Sequence, residues 1–176
     1  MKKVLEGERI YLRPFTNEDS ELYYVSLLDK EMRRLTGTKK IFSKNMIEKH
    51  IARIAEDDER IDLLIVLKEE DKVIGDIALL DIDLNNRNAH MRIALFNDEE
   101  CSKGYGTEAM RILLNYGFGS LNLHRVELNV YSFNPRAIKA YEKLGFVKEG
   151  VQRDILFYDH EYHDAITMSI LEDEFK

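Results

Sequence analysis

The chain has 176 residues, 44% of them hydrophobic and 34% charged, the length of one ordinary domain and the balance of a globular fold with its own core. Acidic side chains outnumber basic ones by 33 to 26, and no Lys/Arg run is longer than a pair such as Lys39-Lys40, so no nucleic-acid partner is expected. The longest apolar stretches (Leu63 to Leu67, Ile77 to Leu80) are strand-length, Lys2 and Lys3 lead into no apolar leader, and the single cysteine, Cys101, suits a reducing cytoplasm, so neither a membrane span nor a disulfide framework is expected.

In chain order, Ile10 and Leu12 alternate with Tyr11 and Arg13 and predict an opening strand over 8–14. Thr16 with Asp19 three residues on has the form of a capping box and opens a helix through Leu28. Ser43 caps a second helix with the apolar stripe Ile47, Ile51 and Ile54. The period then becomes two: 61–67 and 73–84 read as paired strands turning through Glu69-Glu70-Asp71-Lys72. After the polar turn Asn85-Asn86-Arg87-Asn88, the returning strand runs over 89–96. Ala109, Ile112, Leu113 and Tyr116 sit at helical spacing and predict a helix over 105–117. Val126, Leu128 and Val130 alternate with Glu127, Asn129 and Tyr131 as a half-buried strand does. Asn134-Pro135 is an asparagine cap followed by proline at the first helical position, Ala137, Ala140, Tyr141 and Leu144 carry the apolar stripe, and Gly145 ends it. Two closing strands, 151–157 and 162–171, form a hairpin across Asp159-His160. With no repeat or linker, the chain reads as a single domain over 1–176 with its core in 8–172. The fold class is α/β (α+β), with a mixed, mostly antiparallel sheet of six to seven strands and about four helices.

The loop Ser102-Lys103-Gly104-Tyr105-Gly106-Thr107 joins a strand to a helix. Its two glycines let the backbone approach a ligand closely, and successive free N–H groups at a helix start make an anion site. A dinucleotide fingerprint would need a third glycine and a P-loop would need Gly-Lys-Ser/Thr, so the reading left is a pyrophosphate cradle of another kind. The five histidines have no metal-ligand spacing and no Ser-His-Asp set is evident, so no metal is expected.

That loop, followed by the strand His124 to Tyr131 and by Asn134-Pro135-Arg136-Ala137 through Tyr141-Glu142-Lys143-Leu144-Gly145-Phe146, closely resembles the GNAT superfamily of acyl-CoA-dependent N-acetyltransferases. The resemblance runs from Leu12-Arg13-Pro14 to Tyr162-His163-Asp164, and within the superfamily the sequence is similar to the ribosomal-protein N-terminal acetyltransferases, a branch that also holds spermidine acetyltransferases. It implies direct acetyl transfer from acetyl-CoA to a primary amine and a central strand pair that splays apart. Backbone of Ala94, Leu95 and Phe96 would pair with the pantetheine arm as an added strand does. Backbone N–H groups of Ser102, Lys103, Gly104, Tyr105, Gly106 and Thr107 would hold the pyrophosphate, and Asn134 would bond the pantetheine or the reacting region. Tyr141 would act as general acid to the departing thiolate: a phenol near ~10 can share a proton with a thiol near ~8.5. Without the motif, Tyr141 reads as core on the Ala137–Leu144 stripe.

Two positions depart from the family's pattern. Cys101 stands three residues before the first glycine, where many relatives carry Gln or Arg, and reads as a loop thiol, since direct transfer needs no acyl-enzyme. Asp98-Glu99-Glu100 adds negative charge beside the cradle, which Lys103 and Arg111 could offset. Asn129 occupies the place where some relatives have a glutamate base; Glu127 and His90 are the remaining base candidates, beside a water path to bulk solvent. A weakly equipped site leans toward a protein N-terminal α-amine, which titrates near ~7.7–8.0, over a lysine-like amine near ~10.4. A peptide N-terminus is therefore the expected acceptor. A polyamine (spermidine or spermine) or an aminosugar is the alternative that the acidic balance favours, and a non-catalytic acyl-CoA sensor is the alternative of another class. Tyr23, Tyr24 and the stretch Tyr158 to Tyr162 could line the acceptor groove, and a homodimer through the sheet edge or the terminal hairpin would suit the topology.

Overall fold

A computed structural model describes residues 5–176, so Lys2 and Lys3, read above for a leader, lie outside the described residues. The elements are β1 (Leu5–Glu6), β2 (Ile10–Pro14), α1 (Ser20–Ser26), α2 (Lys30–Thr36), α3 (Lys44–Ile54), β3 (Ile61–Leu67), β4 (Lys72–Asp83), β5 (Asn88–Leu95), α4 (Tyr105–Gly119), β6 (Arg125–Tyr131), α5 (Pro135–Leu144), β7 (Val147–Tyr158) and β8 (Glu161–Leu171). The eight strands form one sheet in the order β1-β2-β3-β4-β5-β6-β8-β7. Every neighbouring pair is antiparallel except β5 with β6.

The caps read from the sequence hold the helices in place. Asp19 accepts from the backbone N–H of Thr16 at 2.7 Å and completes the box, after a short 3₁₀ turn, at the start of α1. The same carboxylate is gripped by both Nη atoms of Arg13 at 2.8 Å, which ties the end of β2 to the first helical layer. Ser43 Oγ accepts from Met46 N at 3.3 Å and starts α3, while Asn134 and Pro135 open α5 as expected. One helix is additional to the expected four. In α2 only Met32 and Leu35 are apolar, too few for a stripe, although Asp29 caps it by accepting from Met32 N at 2.7 Å. The short β1 brings the strands to eight.

Two helical layers cover the sheet. On one face α4 and α5 bury Leu113, Leu114, Tyr141 and Leu144 against Ile10, Leu12, Ile77, Leu79, Val126 and Met168. Each fully buried aliphatic side chain there contributes roughly 1.5–3 kcal/mol. On the other face α1, α2 and α3 pack Tyr23, Met32, Ile47 and Ile51 against Tyr11, Leu64 and Val66. The sheet ends at β7, an outer edge with Val147, Val151, Ile155 and Phe157 exposed. Among the described residues no helix is long and apolar enough to cross a membrane.

The join between β5 and β6 is short. Only Asn88↔Arg125, Ala89↔Val126 and His90↔Glu127 are in register, and the strands then diverge, giving the splayed central pair that the sequence resemblance implies.

Candidate active site

Past His90 the sheet opens into a cavity of about 1070 Å³, walled by Arg92, Ala94 and Leu95 of β5 and by Asn129, Val130 and Tyr131 of β6. The side of β5 facing β6 has no strand partner there, leaving an interior edge to which an extended arm can bond. Ala94 and Leu95 line this edge. Phe96 does not: its N–H goes to Ile74 O at 2.9 Å and its ring packs 6.0 Å from that of Tyr23.

The glycine loop closes one end. Ser102 and Gly104 have φ of 62° and 86°, and Gly104 is the N-cap of α4. The backbone N–H groups from Ser102 to Thr107 donate to no other described residue, and they stand at the positive end of a 15-residue helix. Such a row of free backbone donors can cradle an anion. Ser102, Gly104, Gly106 and Thr107 line the cavity, whereas the side chains of Lys103 and Tyr105 turn away. Lys103 Nζ reaches Glu100 Oε2 at 3.2 Å, and the Tyr105 ring lies under the Arg9 guanidinium at 4.7 Å. A Cβ at Gly104 would meet Arg9 Nη2 at 3.2 Å on a backbone of positive φ, whereas one at Gly106 would make ordinary contacts with Ile93 and Leu95, so the fold itself demands glycine at Gly104 and not at Gly106.

The acidic run beside the loop is partly neutralised. Glu100 is buried, and the bonds from Lys72 at 2.8 Å and from Lys103 hold its carboxyl below the usual range. Arg111 takes no part: it donates to the carbonyl of Lys176 at 2.5 Å. Arg136 stands in the cavity instead, its Nη1 3.5 Å from Asp98. Burial pushes the Cys101 thiol up, the wrong direction for a nucleophile.

On the cavity wall α5 and its cap present two groups. Asn134 caps the helix by accepting from Ala137 N at 3.1 Å, which leaves its amide N–H groups for a ligand. Tyr141, 8% exposed, packs 5.8 Å from Phe146, and its hydroxyl has no hydrogen-bond partner among the described residues. Burial alone pushes its phenol up to about 12. Of the two base candidates, His90 lines the cavity and Glu127 does not: Arg125 Nη2 holds Glu127 at 2.8 Å, and His90 Nδ1 is 3.9 Å away, beyond a hydrogen bond. Asn129 lines the cavity and accepts from Thr167 Oγ1 at 2.8 Å.

The far end is built from charged side chains that sequence reasoning missed. Arg60 grips Asp62 at 2.6 and 2.8 Å, and Arg92 Nη2 lies 2.6 Å from Asp76 Oδ2 and 3.7 Å from Asp62. The Asp76 contact is close but off the hydrogen-bond line, so it is ionic. Burial pushes the Asp76 carboxyl up while Arg92 pulls it down; in return the Asp76 charge holds Arg92 firmly cationic. Beside them Tyr23 stacks at 6.4 Å on His50, whose imidazole is pushed down by burial and then by the Arg60 charge. One signal for this cluster was in the sequence: Asp76 interrupts the apolar run Val73 to Leu80, and a carboxylate there is almost never buried unpaired. Of the expected acceptor tyrosines only Tyr23 lines the cavity; Tyr24 borders a separate small pocket, and the hairpin of β7 and β8 contributes Gln152, Ile155 and Ala165 in place of Tyr158 and Tyr162. No group of three or more metal-ligating side chains is assembled among the described residues.

A sheet that parts around a cavity, a backbone cradle at a helix start and a buried phenol between them define an acyl-group transferase. Residues 9–147 match the model of the acetyltransferase (GNAT) domain, and the chain belongs to that family. It is an acetyltransferase with acetyl-CoA as donor and an amine as acceptor. The prophage-derived uncharacterized N-acetyltransferase YokL of Bacillus subtilis is 31% identical over 170 residues, 97% of this chain and 94% of the relative. The spermidine N(1)-acetyltransferase of Escherichia coli K12 is 28% identical over 172 residues, 94% of this chain and 88% of the relative. The fold matches that of the Vibrio cholerae spermidine N-acetyltransferase in complex with CoA and spermine, with a TM-score of 0.89 at 24% identity over 96% of this chain and 98% of that one.

Proposed function

We propose that the protein acetylates a primary amine of a small polyamine. The observation that carries this reading is the full-length kinship with a spermidine N(1)-acetyltransferase. The formal charge of −7 agrees with it, since an acidic surface gathers a polycation. Acetyl-CoA would bring an activated thioester. Ala94 and Leu95 would pair with the pantetheine arm, the N–H groups from Ser102 to Thr107 would hold the pyrophosphate, and Asn134 would anchor the arm near the thioester.

Tyr141 would act on the leaving sulfur. A phenol at about 12 is a weaker acid than a thiol near ~8.5, so handing over its proton completely would cost about 5 kcal/mol. Its role is therefore to donate a hydrogen bond that spreads the developing thiolate charge, while the proton lost by the amine restores the thiol. His90, the base candidate in the cavity, and solvent are the routes for that proton.

A second acceptor, a peptide α-amine next to an acidic side chain, is favoured by a specific observation. The lining carboxylates Asp29, Glu31, Asp76 and Asp98 are each bonded or paired, whereas Lys40, Lys49 and Arg53 stand in the same cavity with no carboxylate partner among the described residues. Thiol release from acetyl-CoA should be followed with spermidine, spermine, an aminosugar and N-terminal peptides of acidic and basic sequence, each product checked for one added acetyl group. Turnover confined to the polyamines would support the proposal; turnover confined to acidic peptides would replace it.

A further inference from the structure

Arg9 lies outside the cavity, and nothing in the acetyl-transfer reading uses it. It comes from the turn before β2, far in sequence from the glycine loop, yet it makes several contacts with that loop and the helix behind it. Its Nη1 donates to the carbonyl of Lys103 at 2.8 Å, its Nε donates to Glu108 Oε2 at 3.0 Å, and its guanidinium lies over the Tyr105 ring at 4.7 Å. Glu108, in the first turn of α4, also accepts the backbone N–H of Arg9 at 2.8 Å and of Ile10 at 3.4 Å. The carboxylate is held below its usual range, because these bonds outweigh its burial.

The Lys103 carbonyl is the informative contact. No cis peptide occurs among the described residues, so the Lys103–Gly104 peptide is trans and its C=O and N–H point in opposite directions. Fixing the carbonyl toward Arg9 therefore aims the Gly104 N–H away from Arg9 and into the cradle that Gly104 lines. Left alone, a loop with positive φ at Ser102 and Gly104 could rotate that peptide plane and lose a donor from the cradle.

We infer that Arg9 is a positioning residue for the pyrophosphate of acetyl-CoA, acting through the Lys103 carbonyl to preset the Gly104 N–H. This rests on the glycine loop holding the pyrophosphate. The guanidinium fork is needed because one group must serve the carbonyl and Glu108 together. The fold does not depend on the side chain: it is half-exposed, and the Arg9 and Ile10 backbone bonds to Glu108 remain when it is shortened.

The test is equilibrium binding of CoA and of pantetheine, which lacks every phosphate, to the wild-type protein and to Arg9→Ala and Arg9→Lys, with melting temperatures as a check on folding. Wild type should bind CoA far more tightly than pantetheine; equal affinities would remove the cradle reading and this inference with it. Given that preference, both variants should weaken CoA about tenfold, the size of one charge-assisted hydrogen bond, and leave pantetheine unchanged. Unchanged CoA affinity, equal weakening of both ligands, or full recovery of CoA affinity in Arg9→Lys would overturn the positioning role while leaving the cradle intact.

Discussion

The end of the cavity proposed for the donor is made of backbone, the interior edge of β5 and the N–H groups of the glycine loop, whereas the end this leaves for the acceptor is made of side chains, Arg60, Asp76 and Arg92 with Asp62 paired to them, brought together by the sheet. Backbone groups cannot be substituted away, so a loop that binds through its N–H groups should tolerate a change of side chain beside it, such as the cysteine at Cys101. The acceptor end has no such protection. One change among its paired charges is expected to alter its charge and its stability together.

The largest expected effect tests that contrast. Arg92→Met strands the buried Asp76 carboxylate and should cost about 3–5 kcal/mol in denaturant unfolding; adding Asp76→Asn should return most of it. If the single variant is as stable as wild type, the acceptor end is not an interlocked charge cluster. Next comes Tyr141→Phe, expected to lower kcat about a hundredfold with the KM for acetyl-CoA unchanged. Its phenol, at about 12, should also contribute no alkaline fall in kcat below pH ~11. An intact kcat in the variant would remove Tyr141 from the chemistry.

Gly104→Ala should be smaller, costing about 1–2 kcal/mol in stability because of the positive φ and loosening CoA through the push on Arg9. The smallest effect lies outside the cavity. Arg125 and then Ser169 hold the Glu149 carboxyl down at about 2. The pair's contribution is present above the unfolded carboxylate value near ~4.3 and is lost as pH falls toward about 2. The side chains are partly exposed, so it is worth less than ~1 kcal/mol, and Arg125→Gln should flatten the acid limb of stability by that amount.

The same contrast governs what could be read from the sequence. Ser43, Asn134-Pro135 and Gly145 act on their own neighbours, so the helix starts and stops were legible in the local pattern, as was the glycine loop. The α2 helix was not, because seven residues with two apolar positions carry no period. Tyr141 stood on an apolar stripe that alone reads as core, and only the motif around it separated the two roles. Arg92 and Asp62 became partners through strand register, which places β5 and β3 on either side of β4. No spacing along the chain encodes that meeting. The backbone N–H groups of Lys103 and Tyr105 stand in the row expected of the cradle, while their side chains meet Glu100 and Arg9, contacts that no spacing encodes.

The three registered pairs between β5 and β6 have a consequence for reach. An outer sheet edge such as β7 can be joined by another polypeptide, because nothing stands over it. The edge inside the cleft narrows to full pairing at His90 and Glu127, with α4 and α5 packed behind the sheet. An arm that bonds to this edge must stop where the ladder closes, so the taper that leaves the sheet unfinished also fixes how far inward a bound arm can run.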